Sequence, residues 1–368
     1  MVHSGQGQLF LILLISVIST SLLIVNLQIL TVHALPVYEV TTRENLVAAK
    51  GVNGSGYRGA YQLSDIGNLD SRCSDEVAIF VHGWGNNETE AKERLDRVKM
   101  SLEKHNYTYP LVGFSWDSDT EWGEAQLLAK WNGPKLADFI VGLKKNCEDT
   151  KIRLIGHSVG ARVILSSIAS LHENLVWNNS NFKLTSVHLL GAAVDDEEIT
   201  TNPRDILDDK TNWGSPKSDY GKAVRDEVTR FYNLYNPKDN VLEQIYPLFE
   251  GDFALGRSGH QVLPYEISSP TNYEDVNVTG QIKAINDADG IEAEVFGLCY
   301  NNNEYCKIKR EGWDFGFCNL LVVPPICQLP QVGDNHVGYI GFRNTTNPDR
   351  LVDEGAMDIV VSDWQNNG

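Results

Sequence analysis

Apolar residues fall along this chain in two rhythms. Short, nearly unbroken runs rich in Val, Ile, Leu and Phe stand at "EVAIFVHGW" from Glu76, "PLVGFSW" from Pro110, "KIRLIGHS" from Lys151 and "LTSVHLLGAAV" from Leu184. Runs of this length between polar segments predict strands buried on both faces. A fifth, "VTRFYNLYNPKDNVL" from Val228, follows a polar connection over 201–227 that is rich in Asp, Asn and Pro. Between the first two runs, Ala91, Leu95, Val98 and Leu102 recur at helical spacing and leave Glu, Lys and Arg for the other side, which predicts an amphipathic helix. A second helical pattern fills "WGEAQLLAKWNGPKLADFIVGLKKN", with a break expected near Gly133-Pro134, and "VGARVILSSIASLH" carries a third. Strands alternating with helices predict an α/β fold with a mostly parallel central sheet, right-handed crossovers and helices on both faces.

The ends of the chain break this alternation. Leu9 to Val25 carries no charge, and the stretch after it ends in Val32-His33-Ala34, small-residue spacing suited to signal-peptide cleavage. The run is also long enough to span a bilayer, and "MVHSGQGQ" before it has no Lys or Arg, so residues 1–34 read as either a signal peptide or an uncleaved N-terminal anchor. Both place residues 35–368 outside the cell or at its surface. Beyond about Ser268, periodicity thins. Residues 270–335 hold Cys299, Cys306, Cys318 and Cys327 among many Asn, Gly and Pro, the expectation being a disulfide-rich insertion or cap before the C-terminus. "NDADG" from Asn286 reads as a turn, because Ile285 stands where a calcium loop needs its first Asp.

Six cysteines with no CxxC spacing favour disulfides over zinc, and sequons at Asn53, Asn87, Asn106, Asn178, Asn277 and Asn344 permit glycosylation. A net charge of -18 disfavours nucleic acid and anionic lipid surfaces as partners.

The chemistry gathers at "GHSVG". Ser158 stands between a predicted strand and a predicted helix, where a sharp turn lifts its hydroxyl clear of the sheet and aims the N–H of Val159 into the same space. Side chains at Gly156 and Gly160 are expected to collide where strand and helix approach. A serine hydroxyl needs a base, a group to orient that base, and donors for an oxyanion. "FVHGWGNN", ending an apolar strand, reads as the donor loop, with the N–H of Trp84 joining that of Val159.

At these residues the sequence resembles the α/β-hydrolase superfamily: "HGWGNN", then "FSW" ending a strand, then "GHSVG", in the order and approximate spacing of lipase-like and esterase-like members, over roughly residues 75–260. The resemblance implies a mainly parallel eight-stranded sheet and a triad in chain order serine, acid, histidine. Asp239 in "YNPKDN", just past a strand, matches the usual place of the acid; Asp195 in "GAAVDDEE" is the alternative. For the base, His336 in "GDNHVGYIGF" is favoured and His260 in "GRSGHQ" is the alternative. His82 and His157 flank the site as supports, while His172 and His188 read as helix-end and strand residues. The resemblance also sets the strand ending at His82 beside the one ending at Gly156. Cys73 and Cys147 then reach the same sheet edge, and a disulfide between them is implied.

Together these readings describe an exported serine hydrolase acting on small-molecule or lipid carboxylic esters, or on related acyl substrates, through Ser158, His336 and Asp239, with no metal or organic cofactor. Two alternatives stay open: a cell-surface binding protein on a hydrolase scaffold, and an acyltransferase using the same residues.

Overall fold

The computed structural model describes residues 35–43, 62–64, 73–201, 220–260, 269–282, 292–297, 306–311, 317–318, 327–328, 336–343, 347 and 350–366. The N-terminal segment 1–34, residues 202–219 of the polar connection, the Asn286 turn, Cys299 and the sequons at Asn53 and Asn344 lie outside them.

Eight strands build the central sheet: β1 (Val37–Thr41), β2 (Gln62–Ser64), β3 (Glu76–Val81), β4 (Leu111–Ser115), β5 (Lys151–His157), β6 (Leu184–Leu190), β7 (Val228–Tyr235) and β8 (Tyr273–Asn277). Their order is β2-β1-β4-β3-β5-β6-β7-β8, with β2 antiparallel to β1 at one edge and every other neighbour parallel. The five strands read from the apolar runs are β3 to β7, five of the six inner strands; β1, between β2 and β4, is the sixth. All of β3 and β4 is buried, as a run with no polar face requires. Alternate residues serve opposite layers: Val77, Ile79 and Val81 join the core under α2 (Trp122–Asn146) and α3 (Gly160–His172). Ala78 and Phe80 join the core under α1 (Glu88–Lys104) and the C-terminal helix Met357–Asn366.

Helix α1 begins where the sequence supplies a cap. Asn87 accepts from the Glu90 N–H while the Glu90 carboxylate takes the Asn87 N–H, a reciprocal capping box. Helix α2 departs from expectation, since it runs unbroken through Pro134. Proline removes the N–H that the Lys130 carbonyl needs, and the Ser166 hydroxyl of α3 donates to that carbonyl at 2.8 Å. The same crossing is close-packed: a Cβ on Gly133 would lie 2.4 Å from the Ser166 Cβ.

The region after Ser268 also differs. Tyr273–Asn277 is an edge strand of the main sheet rather than the start of an insertion. Further on, β9 (Glu292–Gly297) pairs with β10 (Cys306–Glu311), and β11 (Phe317–Cys318) with β12 (Cys327–Gln328), both antiparallel, with Cys318 opposite Cys327 in register. The disulfide found among the described residues is not in this stretch. It joins Cys73 to Cys147, just before the neighbouring strands β3 and β5, with Cα atoms 5.2 Å apart. It closes a loop with a sequence separation of 74. Constraining a loop of that size in the unfolded chain stabilises the fold by about 4 kcal/mol in the chain-entropy account.

Candidate active site

Strand β5 ends at His157 and α3 starts at Gly160, leaving Ser158 on the turn with φ +55°, a left-handed conformation that a residue with a side chain rarely adopts. Backbone bonds hold it there. The Ser158 N–H donates to the Leu190 carbonyl at 3.0 Å, and its own carbonyl accepts from Ala161 (3.0 Å) and Ala193 (3.2 Å). A strained residue persists only where its surroundings over-determine it. Bare glycines let the neighbours close in: a Cβ on Gly160 would sit 2.4 Å from the Val81 carbonyl oxygen, and one on Gly83 would sit 2.7 Å from the Ser158 Cβ. The glycine of α3 therefore packs against the end of β3 and not only against its own strand.

The loop after β3 is oriented by two buried side chains. The Trp116 N–H donates to His82 Nε2 at 3.2 Å, so Nδ1 carries the ring proton and donates to the Gly83 carbonyl at 2.9 Å. Burial, aided by the nearby Arg43 guanidinium, pushes the His82 pKa down to about 3, which keeps the ring neutral. The Asn86 amide donates to the Gly83 and Trp84 carbonyls at 3.0 and 2.8 Å. In a trans peptide the N–H points opposite the C=O, so fixing the Gly83 carbonyl also fixes where the Trp84 N–H points. Asn86, inside the quoted "HGWGNN", has a part that its sequence position alone did not reveal. On the other side, Val159 is the N-cap of α3, where backbone N–H groups lack intrahelical partners.

His336 opens the 3₁₀ turn His336–Ile340, and its Nδ1 lies 2.7 Å from Asp239 Oδ2, both residues buried. Asp239 caps the short helix Asn240–Gln244, its Oδ1 accepting from the Val241 and Leu242 N–H groups at 3.1 and 3.0 Å. Nδ1 facing a carboxylate carries the proton, which leaves Nε2 as the basic nitrogen. Ser158 and His336 line one cavity together with Trp84, Trp122, Ala193, Val241, Leu242, Ile245, Tyr246 and Phe249. It is open to solvent, and the empty space between its walls, solvent at the mouth included, is about 510 Å³.

Neither alternative residue joins this pair. Asp195 accepts from the Tyr246 hydroxyl at 2.7 Å, and His260 Nδ1 lies 2.8 Å from the Asp196 carbonyl.

A family profile described as "Alpha/beta hydrolase of unknown function (DUF900)" matches residues 61–277. The chain belongs to this α/β-hydrolase family. No curated protein matches it in sequence. Among solved structures it is similar to the lin2722 gene product of Listeria innocua, at 14% identity and TM-score 0.33 over 55% of this chain and 83% of that one. It is also similar to a cutinase-like protein from Cryptococcus sp. (11%, 0.29, over 58% and 80%). A third is LpqC, a poly(3-hydroxybutyrate) depolymerase from Bordetella parapertussis (12%, 0.35, over 55% and 72%). At these identities and TM-scores the substrates of those proteins do not transfer to this chain.

In this α/β hydrolase the residue before the elbow also reaches the histidine. The His157 ring donates from Nε2 to the His336 carbonyl at 2.9 Å, with ring centroids 4.9 Å apart. Burial first, then His336, hold its pKa well below the ordinary value, so it remains a neutral donor. Behind the cavity, Arg162 pairs with Glu198 at 3.4 Å and lies 3.5 Å from the Tyr246 hydroxyl. Burial, followed by Glu198, raises Asp195 to about 7. Among the described residues, Asp196, Glu197 and Asp252 bring carboxylate oxygens within 4.8 Å of one another, a spacing a cation can bridge; burial, then Glu197, raises Asp196 to about 9. Trp122, Tyr246 and Phe249 line the cavity yet lie in no motif; only the fold brings them beside Ser158.

Proposed function

We propose that this α/β hydrolase cleaves carboxylic esters, or related acyl substrates, by nucleophilic catalysis at Ser158. The observation that carries the reading is the bond between His336 Nδ1 and buried Asp239, with His336 and the elbow serine lining one cavity. In this reading Ser158 Oγ attacks the acyl carbonyl carbon and passes its proton to His336 Nε2. The tetrahedral oxyanion is held by the N–H groups of Trp84 and Val159. Collapse expels the alcohol, which takes the proton from His336, and leaves an acyl-enzyme. Water then repeats the cycle: its proton goes to His336, its oxygen bonds the acyl carbon, and the acid departs as Ser158 Oγ regains the proton.

Export is part of the same reading. Residues 1–34 serve as a signal peptide or retained anchor ahead of a hydrolase domain over 35–368, whose chain beyond β8 carries Cys299, Cys306, Cys318 and Cys327. The Cys73–Cys147 disulfide supports an oxidising compartment. Asn87, Asn106, Asn178 and Asn277 are exposed, as glycan acceptors must be.

A fluorophosphonate probe is expected to label the folded protein and to leave Ser158→Ala unlabelled. Absence of label on folded wild type would sink the catalytic reading and favour a binding role for the scaffold.

A further inference from the structure

The cavity beside Ser158 is walled by residues whose polar atoms are already engaged elsewhere. Trp84 donates its indole N–H to the Thr120 carbonyl at 2.7 Å. Trp122 donates to the Glu250 carboxylate, which also takes the Gln126 amide. Tyr246 donates its hydroxyl to Asp195. Each amphipathic ring thus keeps its polar end in the protein and gives the cavity its carbon surface. The rings also fix one another: Trp84 meets Trp122 edge-on at 5.2 Å, and Trp122 stacks on Phe249 at 5.5 Å. Ala193, Val241, Leu242 and Ile245 add to the lining, in which no side chain among the described residues is charged by nature apart from His336.

Resting on the hydrolase reading above, we propose that this cavity binds the acyl group and selects an unsubstituted hydrocarbon chain, rejecting acyl groups that carry a carboxylate, hydroxyl or amide. The physical reason is a mismatch of partners. A polar substituent entering the cavity gives up water and meets ring faces whose donors are committed, so its desolvation is uncompensated. A methylene entering the same space leaves water at no polar cost.

The test is a series of p-nitrophenyl esters with the full chain. From acetate to hexanoate, kcat/KM is expected to rise roughly fourfold per added methylene. The hemisuccinate is expected to fall at least about a hundredfold below the pentanoate of matching length, and 3-hydroxybutyrate below butyrate. Rates of Ser158 labelling by alkyl phosphonates with and without a terminal carboxylate should rank the same way, which covers an enzyme slow to deacylate. Val241→Lys, at a half-buried wall position, should move the hemisuccinate-to-pentanoate ratio at least about tenfold toward the charged ester, and Phe249→Ala should shift the preference toward longer chains. Equal or better reaction of the carboxylated substrate in wild type, or an unmoved ratio in folded Val241→Lys, overturns the selectivity while a labelled Ser158 leaves the hydrolase reading standing. A wild type that takes no label removes both.

Discussion

His157 occupies the variable position of the serine pentapeptide and uses it to hold the far end of the chain, because its ring N–H meets the His336 carbonyl. Replacing it with Leu deletes that donor and leaves a buried carbonyl without its partner, whereas Gln keeps an amide N–H near the same place. His157→Leu is therefore expected to lower kcat about tenfold or more with KM little changed and to broaden the acid limb of the pH–rate profile, while His157→Gln recovers a substantial part of kcat. Equal kcat losses in the two folded variants would reduce His157 to packing. Ser158, the strand before it and the helix after it were legible because a pentapeptide between two apolar rhythms has few other uses. Asp239 and His336 were singled out from a familiar order, and the structure bonds the two side chains to each other. The engagement of Asn86 and His157 was not, since each bond joins a side chain to a carbonyl whose place depends on the completed sheet.

At the scale of elements, β3 to β7 betrayed themselves by uninterrupted apolar runs, whereas β1 and β8, with residues mostly half-buried or exposed, read like loops. Proline misled for a related reason: its local cost in α2 is offset by a hydroxyl on a different helix. Ser166→Ala is expected to lower stability by about 1 to 2 kcal/mol, read from the urea midpoint at unchanged slope, because the Lys130 carbonyl loses its donor. Restoring the local donor with Pro134→Ala in the Ser166→Ala background should recover part of that loss. No effect of Ser166→Ala would show that the carbonyl is satisfied without it.

For the whole molecule, two kinds of buried group set opposite responses to pH. His82, faced by Arg43 and Arg94, is held neutral with its pKa lowered to about 3. The stability this represents is present above the ordinary histidine value of about 6.5 and is lost as pH falls from there toward 3. Asp195, surrounded by Glu198, Arg162, Tyr246 and Glu250, is raised to about 7. Its contribution is present below the ordinary carboxylate range and is lost as pH rises through 7. Melting temperature against pH is expected to show a shallower acid limb in His82→Asn between pH 6.5 and 3, and a smaller loss in Asp195→Asn between pH 4 and 7. Parallel profiles for the wild type and both variants would refute the assignment.

Asp239 is gripped by main-chain N–H groups of the helix it caps, and the eleven positions after it supply half of the cavity wall among the described residues. Main-chain grip is indifferent to side-chain identity. In the proposed hydrolase, diversifying residues 240–250 while keeping the backbone therefore offers a short cassette through which substrate taste can drift, or be engineered, without loosening the carboxylate bonded to His336.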